Sequence, residues 1–150
     1  MSSLHPNIAM LADVYDDLRQ IDRYADDDIV LHLAQRSGSA GPTLAPLRGK
    51  AAVLKQMHAL LRDSADTLTM QVESIVANDY FGAVLGSIRA RRDDSEIAMP
   101  FCGLWRFRDG RILEHWENAY DIEALDAFMQ GKGPDRHEWV RPSRAVERRK

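Results

Sequence analysis

A chain of 150 residues with 45% hydrophobic content is sized for one domain and can bury roughly two thirds of its unfolded surface. Its formal charge of −3 and pI near 5.9 argue against nucleic-acid binding, which needs a basic footprint. No apolar run approaches the roughly 20 residues of a membrane span, and "MSSLHPNIAML" lacks the basic-then-apolar order of a secretory signal. A single cysteine, Cys102, leaves no intrachain disulfide and fits a reducing cytoplasm, which is the expected location.

Residues 7–24 place Ile8, Leu11, Ala12, Tyr15 and Leu18 at helical spacing, with Asn7 as a cap. The acids of "DDD" at 26–28 lead into "IVLHLA", a strand, and "QRSGSAGPTLAPLRG" collects turn formers into a loop, with "SGSAGP" read as lid-like. "KAAVLKQMHALLRDSA" is a second helix; His58 sits at its rim. From Leu68 the period changes to two, and four strands follow with tight links at Asn78-Asp79, at 93–95 and at "RDG" 108–110, an antiparallel meander. "IEALDAFM" is a closing helix. Residues 1–131 are expected to form the domain and 132–150 a basic C-terminal tail. This order predicts an α+β architecture, helices covering one face of a curved mixed or antiparallel sheet around a pocket.

Alternation along "GRILEHWENAYD" groups Ile112, Glu114, Trp116, Asn118 and Tyr120 on one face and Leu113, His115, Glu117 and Ala119 on the other. The bulk of the first group assigns it to the interior, although one bulge would exchange the faces. Met99, Phe101, Gly103 and Trp105 share a face of the preceding strand, and with Trp116 and Tyr120 they would line an aromatic pocket for a flat apolar ligand. Glu114 in that pocket would titrate high through desolvation, or else pair with Arg89 or Arg106. The five histidines are scattered, and there is no phosphate-cradling glycine loop, serine elbow or cysteine cluster, so no metal and no cofactor are expected.

The element order, with "YADDDIVLHLA", "LRGKAAVL", "GLWRFRDGRILEHWE" and "YD", resembles the nuclear transport factor two-like superfamily, and within it the SnoaL-like polyketide cyclase and ketosteroid-isomerase-like branch. The resemblance implies a cystatin-like α+β barrel with a cone-shaped cavity, and a homodimer through the outer sheet face. Tyr15 resembles the first-helix tyrosine that donates to an oxyanion. His32 lies near the position of the isomerases' carboxylate base. Gly103 stands where they carry a protonated aspartate, so one donor is missing; Asn118 stands at the epoxide hydrolases' aspartate, and an amide is no general base.

The expectation is thus a small cofactor-independent enzyme acting on an apolar carbonyl compound, by cyclisation or isomerisation. His32 would be the base, Tyr15 an oxyanion donor, Asn118 a second donor and Glu114 a proton relay. The alternatives are a non-catalytic module binding a hydrophobic small molecule or a partner protein, and a scaffold that only dimerises.

Overall fold

The computed structural model describes residues 4–34, 45–64 and 67–130. Helix α1 (Pro6–Asp16) starts with Pro6 in its first turn, where a missing N–H costs nothing, and His5 Nδ1 accepts from the Asn7 N–H at 3.1 Å. It buries Met10, Leu11, Val14 and Tyr15. The single helix expected over 7–24 is broken at Asp17, whose backbone is extended. The Asp17 carboxylate accepts from the Arg19 N–H at 3.0 Å and caps a 3₁₀ turn, Leu18–Gln20, which runs into the short α2 (Ile21–Tyr24).

Strand β1 (Ala25–His32) takes in the three acids instead of following them, and a two-residue β2 (Leu47–Arg48) pairs with it inside the segment read as loop. Helix α3 spans Lys50–Asp63. Strands β3 (Thr69–Ala77), β4 (Phe81–Arg92), β5 (Ser95–Arg108) and β6 (Arg111–Ala119) form the meander, and α4 (Ile122–Met129) follows, capped by the Asp121 side chain at the Ala124 N–H, 3.0 Å. The β5–β6 link, Asp109-Gly110, has positive φ at both residues (52° and 76°), the geometry that two-residue hairpin turns demand.

The strand order is β2-β1-β6-β5-β4-β3, with β1 parallel to β6 and every other pair antiparallel. The architecture is the expected α+β, but the sheet is open at β2 and β3 and does not close into a barrel. The helices cover one face, where Ile29, Leu31, Val84, Ile97, Trp105, Phe107, Ile112 and Phe128 are almost fully buried with Leu11 and Val14. On the other face Val76, Phe81, Leu85 and Leu104 remain exposed. The lid-like loop and the basic tail lie outside the described residues.

Candidate functional site

The meander's register decides which side chains meet the helices. Arg106 pairs with Glu114 and Phe107 with Ile112, so Leu113 is an extra residue in β6, a bulge. Ile112 and Leu113 are consecutively buried, and alternation then resumes in the opposite phase. His115 and Glu117 therefore face inward, and Glu114, Trp116 and Asn118 outward, the reverse of the assignment made from simple alternation. The signal was present in the chain: two adjacent apolar residues, Ile112 and Leu113, one residue after the Asp-Gly turn.

Under α1 and α3 the sheet leaves a cavity of about 60 Å³. Its walls are mostly apolar, including Met57, Met70, Met129, Leu60 and Phe101; Tyr15, His115 and Glu117 bring polar atoms to it. It is small beside the roughly 300–1,000 Å³ of drug-sized ligand sites, too narrow for the flat polycyclic ligand expected unless side chains move. The three methionines are the residues best able to do so, being unbranched and polarizable. A neighbouring surface pocket of about 260 Å³, at the C-terminal end of α1, shares Tyr15, Leu18, Leu68 and Met70 with the cavity.

Tyr15 is the best-fixed group. Its ring stacks on Phe101 at 5.4 Å and meets Trp105 edge-on at 5.8 Å, and the Trp105 indole N–H donates to its hydroxyl at 3.1 Å. Burial pushes the phenol far above its ordinary value, so it is a neutral hydrogen-bond donor. Gly103 permits this arrangement: a Cβ there would overlap the Tyr15 hydroxyl and come within 3.1 Å of Trp105 Nε1 and 3.2 Å of His115 Cε1. The glycine read as a lost donor is therefore the space in which the tyrosine hydroxyl sits.

His115 is 5% exposed, stacks on Trp105 with ring centroids 3.5 Å apart, and bonds the Leu104 carbonyl through Nδ1 at 2.9 Å. Desolvation pushes it down to about 3. It is neutral, with its proton on Nδ1, because only a donor can bond a carbonyl. Glu117 is half-buried and lines the cavity; desolvation pushes its carboxyl up to about 7, and the one opposing influence is a hydrogen bond from the Ala34 backbone. Simple alternation along the strand places both residues outside, where the structure has them inside.

Tyr15, Phe101, Gly103 and Trp105 line the cavity. Met99 is buried in the core beside it. Trp116 is on the outer face and Tyr120, at the end of β6, is 70% exposed, so neither walls the cavity. His32 is displaced too: Ile29 and Leu31 take the inner face of β1, which puts it outside. There its Nε2 lies 2.6 Å from Glu114, which also accepts from Arg106 Nε at 3.0 Å, while its ring stacks on Trp116 at 5.2 Å. Burial alone would raise the Glu114 carboxyl, but the bonds from His32 and Arg106 hold it below its usual value. The pairing with Arg106 is the realised option, and Glu114 is no high-titrating cavity acid. Asn118 reaches the cavity edge but is exposed, its amide donating to the Cys102 carbonyl at 3.0 Å.

The SnoaL-like domain profile matches residues 12–115. The chain belongs to the SnoaL-like domain family. No curated protein matches it. Among solved structures, Bal32a from a soil-derived mobile gene cassette is similar at 20% identity and a TM-score of 0.70, over 83% of this chain and 96% of that one. A Xanthomonas campestris protein of unknown function with a cystatin-like fold is 18% identical, with a TM-score of 0.67 over 82% and 93%. IdmH, a putative polyketide cyclase from Streptomyces antibioticus, is 23% identical, with a TM-score of 0.61 over 85% and 99%. These likenesses place the SnoaL-like chain on the cystatin-like fold. Among the described residues, no His, Cys, Asp and Glu cluster could hold a metal ion, and no helix is long and apolar enough to cross a membrane.

Proposed function

We propose that this SnoaL-like protein catalyses proton transfer next to the carbonyl of a neutral, apolar compound, with Glu117 as the base and Tyr15 as the donor to the developing oxyanion. One observation carries the reading: a carboxyl pushed up to about 7 in an apolar cavity that Tyr15 also lines. A carboxylate there is poorly solvated and matched to neutral pH. It takes the α-proton; the electron pair moves onto the carbonyl oxygen, which accepts from the Tyr15 hydroxyl. Return of the proton to another carbon completes an isomerisation; attack of the enolate carbon on a second carbonyl of the same molecule, with the alkoxide so formed taking the proton back from Glu117, completes an aldol cyclisation. The likeness to a putative polyketide cyclase favours the second form.

The test is α-hydrogen exchange of 2-indanone in D₂O, followed by proton NMR. The wild type is expected to accelerate exchange and Glu117→Gln to lose about 100-fold or more. Equal exchange in the two proteins would remove Glu117 from the chemistry. The second reading, a partner-binding module without turnover, draws on the exposed apolar side chains of the outer sheet face; it predicts no exchange with any ketone. That same face supports a homodimer in either case.

A further inference from the structure

His115 brings to the cavity a polar group that the proton-transfer reading does not use. The bond from Nδ1 to the Leu104 carbonyl fixes the His115 tautomer, and the face of the ring is held by Trp105. Nε2 then has a lone pair and no proton, so it accepts hydrogen bonds and cannot donate them. It bonds no described residue. No buried polar side-chain atom among the described residues lacks a partner, so Nε2 keeps accessible surface, and the ring borders the cavity. A β-carbon on Gly103 would stand against both the Tyr15 hydroxyl and, at 3.2 Å, the His115 Cε1, so the hydroxyl donor and the imidazole border the same spot of the cavity wall. None of the described lining residues is lysine or arginine, so nothing there would offset an anionic ligand.

From this geometry we infer that His115 reads a hydroxyl group on the ligand: the carbonyl oxygen accepts from Tyr15 while a ligand O–H a few bonds away donates to His115 Nε2. The inference rests on the proton-transfer reading and narrows its substrate class from apolar carbonyl compounds to neutral hydroxy ketones. An analogue without the hydroxyl would leave Nε2 dry and unpaired, and a carboxylate in its place would meet an acceptor with no proton to give. A role in packing alone would require only the ring, which phenylalanine supplies.

Binding of acetophenone, 3′-hydroxyacetophenone and 4′-hydroxyacetophenone to the full chain, followed by quenching of tryptophan fluorescence, tests this, with ¹⁵N spectra of the histidine rings as a second readout. Wild type is expected to bind at least one hydroxylated ketone about fivefold or more tighter than acetophenone, and His115→Phe to bring the ratio to about one. In the wild type the unprotonated Nε2 resonance of His115 should shift with the hydroxylated ligand and not with acetophenone; this requires no variant, so it stands even where His115→Phe does not fold. Equal binding of the ketones, or a free-protein spectrum with the proton on Nε2, overturns the inference and leaves the 2-indanone exchange result untouched. Absence of both exchange and binding of every ketone overturns the underlying reading, and this inference with it.

Discussion

Two residues side by side on one face of β6 are pushed by the same burial in opposite directions, because desolvation disfavours whichever form is charged. Glu117 holds its proton up to about 7 and His115 refuses one until about 3, against ordinary values of 4.5 and 6.5. Between pH 4.5 and 7 the native state binds more protons at Glu117 than the unfolded chain does, so this group lowers stability as pH rises. His115 acts with the opposite sign between 3 and 6.5, and over the shared window the two largely cancel. Glu117→Gln removes one side of that balance. Urea unfolding from pH 4.5 to 8 should show the variant gaining on the wild type by on the order of 2 kcal/mol, with the difference growing up to about pH 7. A constant difference would mean that Glu117 ionises normally. The residue types were legible from sequence, and so were the apolar helix face that carries Tyr15 and the strand face that Phe101, Gly103 and Trp105 share. His115 and Glu117 were not, because a single extra residue, Leu113, reverses the phase of alternation, and spacing alone does not register it.

At the level of elements, boundaries followed local chemistry. Closing helix α4 and the four meander strands were readable from periodicity and from the Asn, Asp and Gly turn residues, whose side chains or positive φ angles make the turns. Asn78 shows how: its side-chain oxygen accepts from the Tyr80 and Phe81 N–H groups at 2.8 and 2.7 Å. Two features escaped. The apolar spacing of residues 7–24 continues through Asp17, yet that aspartate finds the Arg19 N–H and breaks the helix, an instance of a short side chain competing with the helical ladder. The β2 pair is too brief to leave a periodic signal. If the Asp17 bond sets the break, Asp17→Ala should lower stability by about 1 kcal/mol in urea unfolding, and Asp17→Asn, which keeps the acceptor, by distinctly less. Equal losses would show that the acceptor is not what matters.

For the whole molecule, the open sheet has one face closed by helices and one bare. Trp116, Phe81, Leu104 and Val76 border a shallow groove of about 660 Å³ on the bare face, with the His32–Glu114–Arg106 cluster beside it. A patch of this kind on a sheet fits association with a second copy. Light scattering after size exclusion should give a dimer for the wild type and a monomer for Leu104→Glu, which would bury two carboxylates at the centre of a self-complementary interface. A monomeric wild type would contradict that arrangement. The α+β layering and the meander were legible from the order of elements; the choice of cavity side was not, since it depends on the register between β5 and β6.

Catalysis by Glu117 requires that the carboxyl in the cavity change charge near neutrality. Carbon-13 NMR of glutamate-labelled protein, with the Glu117 resonance assigned by its loss in Glu117→Gln, reads this directly. A titration midpoint near 7 is predicted, coinciding with the midpoint at which 2-indanone exchange rises with pH; a midpoint near the ordinary carboxylate value of 4.5 would contradict it.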